Sequence, residues 1–118
     1  MKETAGRLLV FPTRPRPVVR VTLWEGAGRP EVAALREWLT AEGYQVVQWS
    51  SAPAEGYAPH VHIYPELLWV LDGDLTILLP AEDRMLELTP GDRIELPAGM
   101  VHGTMAGAEG ATYLLATR

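Results

Sequence analysis

The chain has three histidines, and all of them fall in two short blocks: His60 and His62 in HVHIYPE, and His102 in PAGMVH. A single metal site built from them requires a fold that brings position 102 beside positions 60–66. His60 and His62 are two residues apart, so on a strand they point to the same face. Glu66 stays on that face if the strand runs on or bends only slightly. His102 has to arrive from a different strand. Three imidazoles and one carboxylate suit a divalent transition metal and leave a coordination position for water or a ligand. The chain has no cysteine, so there is neither a disulfide framework nor a thiolate site, and any metal must sit on His and carboxylate.

Between and around these blocks, glycines and prolines cut the chain into short strands. Leu8–Phe11 is a short apolar run, and Thr13–Pro17 is a Pro/Arg stretch unsuited to a helix or a central strand. Val18–Trp24 alternates as a strand does. The only helix predicted lies at about residues 30–43: Val32, Leu35, Trp38 and Leu39 share one face, Pro30 suits the first turn and Gly43 the C-terminal cap. Tyr44–Trp49 reads as a further strand. Asp72-Gly73, between Leu67–Leu71 and Leu75–Leu79, predicts a hairpin turn with two positive φ values. Pro90-Gly91-Asp92 predicts a turn between Met85–Thr89 and Arg93–Leu96, and Gly107–Gly110 another before Thr112–Thr117. This pattern implies an all-β sandwich or barrel.

Composition sets outer limits. At 118 residues and 47 % hydrophobic, the chain is a single domain able to bury a core. It has no apolar run of membrane-spanning length and no signal-peptide pattern at its start, which predicts a cytoplasmic protein without a membrane partner. The net charge is −5. Arg14, Arg16 and Arg20 cluster, but prolines interleave the first of them and no aromatic platform accompanies them. A solvated patch is therefore expected, with no nucleic-acid partner.

Two longer blocks carry a family resemblance. GYAPHVHIYPELLWVLDG, from Gly56 to Gly73, and GDRIELPAGMVH, from Gly91 to His102, resemble the two signature motifs of the cupin superfamily, as found in its small single-domain members. In the first, the spacings His62 to Glu66 and Glu66 to Gly73 follow the family. In the second, Gly91, Pro97, Gly99 and His102 match at every position. The spacer between Gly56 and His60 is shorter than usual, and the family's closing asparagine falls at Ala106. The resemblance spans roughly residues 45–118. It implies a double-stranded β-helix (jelly-roll) barrel over 45–118, with the metal inside on His60, His62, Glu66 and His102. Residues 1–44 form an N-terminal extension that packs on the barrel or crosses to a partner subunit. Sheet-edge pairing predicts a homodimer, with Trp24, Trp38 and Trp69 either at its interface or packed in their own cores.

Alternation along the strands predicts a cavity lined by Ala58, Leu68, Val70, Ile77, Ile94, Leu96, Thr104 and Ala106. Tyr64, Tyr57, Gln48 and Tyr113 are candidate polar additions. This nearly aliphatic lining lacks a second carboxylate, a lysine or an arginine to act as a base or an anion clamp. The expected cofactor is one divalent transition metal, among Fe, Mn, Ni, Co, Cu and Zn. A small metal-dependent enzyme follows, with dioxygenase-like chemistry on a small, mostly apolar substrate as the leading reaction. A non-catalytic ligand-binding or sensor module is the alternative, and a purely stabilising metal a third reading.

Overall fold

The computed structural model describes residues 18–118. Leu8–Phe11, Thr13–Pro17, Arg14 and Arg16 lie outside the described residues. The elements run β1 (Arg20–Thr22), α1 (Val32–Ala41), β2 (Gln45–Ser51), β3 (Gly56–His60), β4 (Glu66–Leu79), β5 (Arg84–Leu88), β6 (Arg93–Leu96) and β7 (His102–Thr117). A 3₁₀ turn, Pro80–Glu82, joins β4 to β5. Among the described residues, no helix is long and apolar enough to cross a membrane.

Two long strands organise the sheet. β4 and β7 lie antiparallel from Leu67 opposite Ala116 to Leu78 opposite Gly103. On the far side of β4, β6 pairs its first half and β5 its second. On the far side of β7, β2 pairs Ala111–Thr117 and β3 pairs the start, with His60 opposite His102. β1 adds to β6. The strands thus divide into a half ordered β1-β6-β4-β7-β2 and a half ordered β5-β4-β7-β3. The two halves meet where the β4–β7 register shifts, between Val70 and Asp72 and again between Gly73 and Leu75. One apolar core, containing Leu68, Val70, Leu75, Ile77, Leu88, Ile94 and Tyr113, draws on both halves. This is a jelly-roll barrel.

The junction corrects two predicted turns. Asp72-Gly73 does not close a hairpin: Leu67–Val70 and Leu75–Leu78 both pair with β7 rather than with each other. Nor do residues 107–110 separate two strands, because β7 runs through them. Only Gly73 of the Asp-Gly pair has positive φ (72°), and it faces Gly110, also at positive φ (81°). A Cβ on Gly73 would stand 2.0 Å from the Gly110 carbonyl oxygen. A left-handed residue serves a bulge as readily as a turn, and here the matching bend in β7 decides which.

The Pro90-Gly91-Asp92 turn is present. Asp92 N–H donates to the Thr89 carbonyl at 2.9 Å, with Gly91 at φ +97°, which is the glycine position of a type II turn. The buried Asp92 carboxylate closes it. It accepts from the Thr89 N–H and Oγ1 and, on its other oxygen, from the Trp24 N–H.

α1 begins two residues after Pro30, and Gly43, at φ +87°, ends it with its N–H on the Thr40 carbonyl. Leu35 and Leu39 bury against Leu67, Trp69, Leu71, Leu114 and Ala116, forming a second core on the outside of the larger half. α1 and β1 therefore pack on their own chain's sheet. Trp69 is buried, and its Nε1–H donates to the Gly91 carbonyl at 2.7 Å. Trp38 is 45 % exposed and meets Trp69 edge-on at 5.9 Å. The Trp24 ring covers Gly91, where a Cβ would collide with it.

Candidate metal centre

β3 ends at His60, and the chain leaves the sheet before β4 starts at Glu66. His60 and His62 therefore do not share a strand face, and Glu66 does not continue that strand, contrary to the spacing argument. A loop over 61–65 folds back instead and brings the side chains together from three local settings. One interaction couples this loop to the second histidine block. Gly99 N–H donates to the His62 carbonyl at 2.8 Å. Gly99, at φ +80°, is the third residue of a turn closed by Met100 N–H on the Pro97 carbonyl. That geometry is a type II turn, and it is why a glycine stands at position 99.

The three histidines cluster, and Glu66 lies beside two of them, His62 and His102. His60 Nε2 and His62 Nε2 are 3.1 Å apart. His102 Nε2 lies 3.4 Å from Glu66 Oε1, and His62 Nε2 lies 3.9 Å from Glu66 Oε2. Ring nitrogens of all three histidines lie within 4.8 Å of one another. Two neighbouring ligands at right angles, each about 2.1 Å from one ion, would stand about 3 Å apart, so the donor set suits a single metal. The remaining ring nitrogens fix the tautomers. His60 Nδ1 faces the Ala58 carbonyl at 3.1 Å, and His102 Nδ1 faces the Met100 carbonyl at 3.0 Å. A carbonyl accepts only from N–H, so each ring carries its proton on Nδ1 and presents Nε2 to the centre.

His102 is buried and Glu66 nearly so, while His60 is exposed. In the metal-free chain, the Glu66 hydrogen bond raises the His102 pKa above its usual value. The Met100 carbonyl and the Glu66 charge add to this, and burial opposes it. A cation binding at His102 Nε2 competes with protonation of that nitrogen.

The centre forms the floor of a cavity of about 290 Å³. Its walls are Trp49, Tyr57, Tyr64, Leu68, Thr104, Tyr113 and Leu115. Of the predicted lining, Tyr64, Leu68 and Thr104 are there. Val70, Ile77, Ile94, Leu96 and Ala106 face inward but pack into the closed core, away from the cavity. Facing inward is not the same as lining a space: one part of the barrel interior is filled by its own side chains. Ala58 is exposed, because β3 has a register shift between Tyr57 and His60 that breaks its alternation. Gln48 turns outward, accepting a hydrogen bond from Arg36.

The walls are therefore aromatic rather than aliphatic. Tyr113 and Leu115 face in because residues 107–110 reset the parity of β7: His102, Thr104 and Ala106 point inward before the bend, and Ala111 and Tyr113 after it. Trp49 follows as the partner of Tyr113 across β2 and β7. The two glycines at 107 and 110 were the only local signal of that reset. Trp49 and Tyr57 meet edge-on at 6.5 Å, with Trp49 Nε1–H donating to the Tyr57 hydroxyl at 3.4 Å. Tyr64 stacks on the His62 ring at 5.0 Å and 20°. Buried Tyr113 shares a 3.2 Å hydrogen bond with Ser51 Oγ, and burial raises its pKa.

No protein-family model and no curated protein sequence matches the chain. Solved structures do. The polyketide cyclase RemF from Streptomyces resistomycificus is similar at 27 % identity and a TM-score of 0.59, over 66 % of this chain. The chain spans only 58 % of that protein's length. A cupin-2 domain containing protein from Shewanella frigidimarina is 25 % identical, with a TM-score of 0.55, over 64 % of this chain and 71 % of its own. A cupin 2 domain-containing protein from Halorhodospira halophila reaches a TM-score of 0.63 at 21 % identity, over 84 % of this chain and 74 % of its own.

Proposed function

The chain has the double-stranded β-helix fold of the cupins, and from that premise we propose that it is a small metal-dependent enzyme acting on a small, mostly apolar molecule. The observation that carries this is the convergence of His60, His62 and His102 Nε2 with the Glu66 carboxylate at the floor of an open, largely apolar cavity. A closed structural site would have no cavity leading to it. Bound there, one divalent transition metal would supply Lewis acidity or, as iron, oxygen chemistry.

The protein's own residues do the rest. Backbone carbonyls of Ala58 and Met100 hold two imidazoles in the ligating tautomer. Glu66 supplies the negative charge, and Leu68, Leu115 and the aromatic walls receive the apolar part of the substrate. Among the described lining residues Glu66 is the only carboxylate, and there is no lysine or arginine. Chemistry that needs a separate strong base or a phosphate clamp is poorly served. Oxygen insertion, in which the residues position rather than transfer protons, is served best, and dioxygenase-like turnover is our leading reaction. The same lack of a base favours a second reading, a ligand-binding or sensor module. Likeness to a polyketide cyclase is compatible with a ring-forming substrate but comes from a longer protein.

Elemental mass spectrometry of the intact chain against His60→Ala/His62→Ala is the test. One equivalent of metal, absent from the double variant, supports the centre. Oxygen consumption by the iron-loaded chain over a panel of small apolar compounds then separates an enzyme from a sensor, which would show ligand-dependent stabilisation without product. A chain that takes up no metal on reconstitution overturns the proposal.

A further inference from the structure

The walls of the cavity are more specific than apolarity requires. Trp49, Tyr57 and Tyr64 are 44 %, 36 % and 43 % exposed, so their ring surfaces are open to a ligand. Trp49 and Tyr57 are set edge to face, and Tyr64 lies parallel to His62. Aliphatic side chains would shelter an apolar chain equally well. What aromatic walls add is stacking and edge contacts with another ring, worth about 0.5–1.5 kcal/mol per pair beyond area burial.

Charge narrows the ligand further. Neutral histidines, one carboxylate and a divalent ion sum to one positive charge. Among the described residues, no other charged side chain lines the cavity. Uncompensated charge in a partly dehydrated space is costly, so a ligand carrying one negative charge is matched, whereas a cation or a dianion is not. Polar contacts point the same way. Tyr113 and Thr104 are buried hydroxyl-bearing walls. When Ser51 Oγ–H donates to the Tyr113 oxygen across their 3.2 Å contact, the phenolic hydrogen of Tyr113 is free to donate to an oxyanion beside it.

We propose that the cavity takes a compact aromatic molecule bearing one acidic hydroxyl, a phenol or a ring-conjugated enol, bound as its monoanion. The aromatic walls hold the ring and Tyr113 donates to the oxygen. This rests on the metal centre proposed above. Binding breaks the ligand's O–H bond, and the proton leaves to the buffer. The cavity of about 290 Å³ lies at the lower end of the range for small-molecule sites, which limits the ligand to a few rings.

The test uses 2-naphthol, its methyl ether and its fully saturated analogue, titrated calorimetrically into zinc-loaded and metal-free chain in two buffers of different ionisation heat. The expected result is that 2-naphthol binds the zinc-loaded chain about 10-fold or more tighter than either analogue, releases close to one proton per molecule bound, and quenches tryptophan fluorescence. Trp49→Leu weakens it about 2- to 10-fold. Tyr113→Phe weakens 2-naphthol but not its methyl ether. Equal binding of the saturated analogue overturns the aromatic assignment. Equal binding of the ether, or no proton release, overturns the monoanion. In both cases zinc uptake still stands. Failure to take up zinc at all overturns the metal centre and this inference with it.

Discussion

Replacing Gly73 with asparagine tests the junction on which the barrel depends. Asparagine tolerates the left-handed region better than other side chains, so the φ of +72° at Gly73 costs it little. The steric term remains. A Cβ would lie 2.0 Å from the Gly110 carbonyl oxygen, 2.9 Å from its carbon and 3.0 Å from the Ala111 Cα. All three are backbone atoms, so no side chain can turn away. β4 and β7 would have to part by more than an ångström at the place where both change partners. Overpacking of this kind costs about 1–3 kcal/mol, and each backbone hydrogen bond lost at the shifted register adds about 1 kcal/mol. A total of about 3–5 kcal/mol follows, a large share of the 5–15 kcal/mol typical of a domain. The control is Gly43→Asn. Its φ of +87° is equally left-handed, but nothing lies within 4 Å of the added Cβ, so it costs about 1 kcal/mol or less. Urea unfolding of both variants, followed by far-UV circular dichroism, gives the two values. If Gly73→Asn is as mild as Gly43→Asn, Gly73 is an ordinary turn glycine and the continuous β4 described here is wrong.

Leu39 is fully buried in the core under α1; Leu39→Ala is expected to cost about 2–5 kcal/mol and to speed amide exchange in α1, while metal stoichiometry stays unchanged. Loss of metal would show that the helix supports the site. Metal loading at 100 to 1,000 times Kd is expected to stabilise the chain by about 2.7–4.1 kcal/mol, measured as a rise in Tm that excess chelator reverses; Glu66→Gln should shrink that rise, and an unchanged rise would remove Glu66 from the ligand set. Tyr113 has a pKa raised above the usual 10.0, first by burial, with the Ser51 hydrogen bond opposing. Because the folded value is the higher one, its contribution to stability is complete below about pH 10 and is lost as pH rises through the raised value. Absorbance at 295 nm should show one tyrosine titrating last, and Tyr113→Phe should remove that component; coincident titration of all four tyrosines would refute the buried placement.

The candidate ligands could be read from the chain alone because metal chemistry restricts residue types: with no cysteine, three histidines and a nearby glutamate leave few alternatives, and the fold brings the three histidines together. The strand pattern was legible for a similar reason, since alternation records one buried and one solvent-facing side, and Pro90-Gly91 and Gly99 carry their own turn geometry. The cavity lining was less legible. Val70, Ile77, Ile94, Leu96 and Ala106 lie in the packed core instead of lining the cavity, because whether an inward side chain meets a neighbour or a void depends on how the two halves close. Trp49 and Leu115 were missed because parity along β7 resets at 107–110, and nothing in the local sequence tells a bulge from a turn.

By itself, then, the sequence determined the candidate donor residues, the strand periodicity and the positions where the backbone had to leave ordinary φ. Those are properties of single residues and their near neighbours. Only the tertiary structure decided that Gly73 bends a strand instead of reversing it, that His60 and His62 meet across a loop instead of along a face, and that aromatic side chains wall the cavity. Each of these depends on which distant segment arrives alongside. At the Gly73–Gly110 contact, the local conformational energies of turn and bulge are close, and the pairing of β4 with β7 settles the choice.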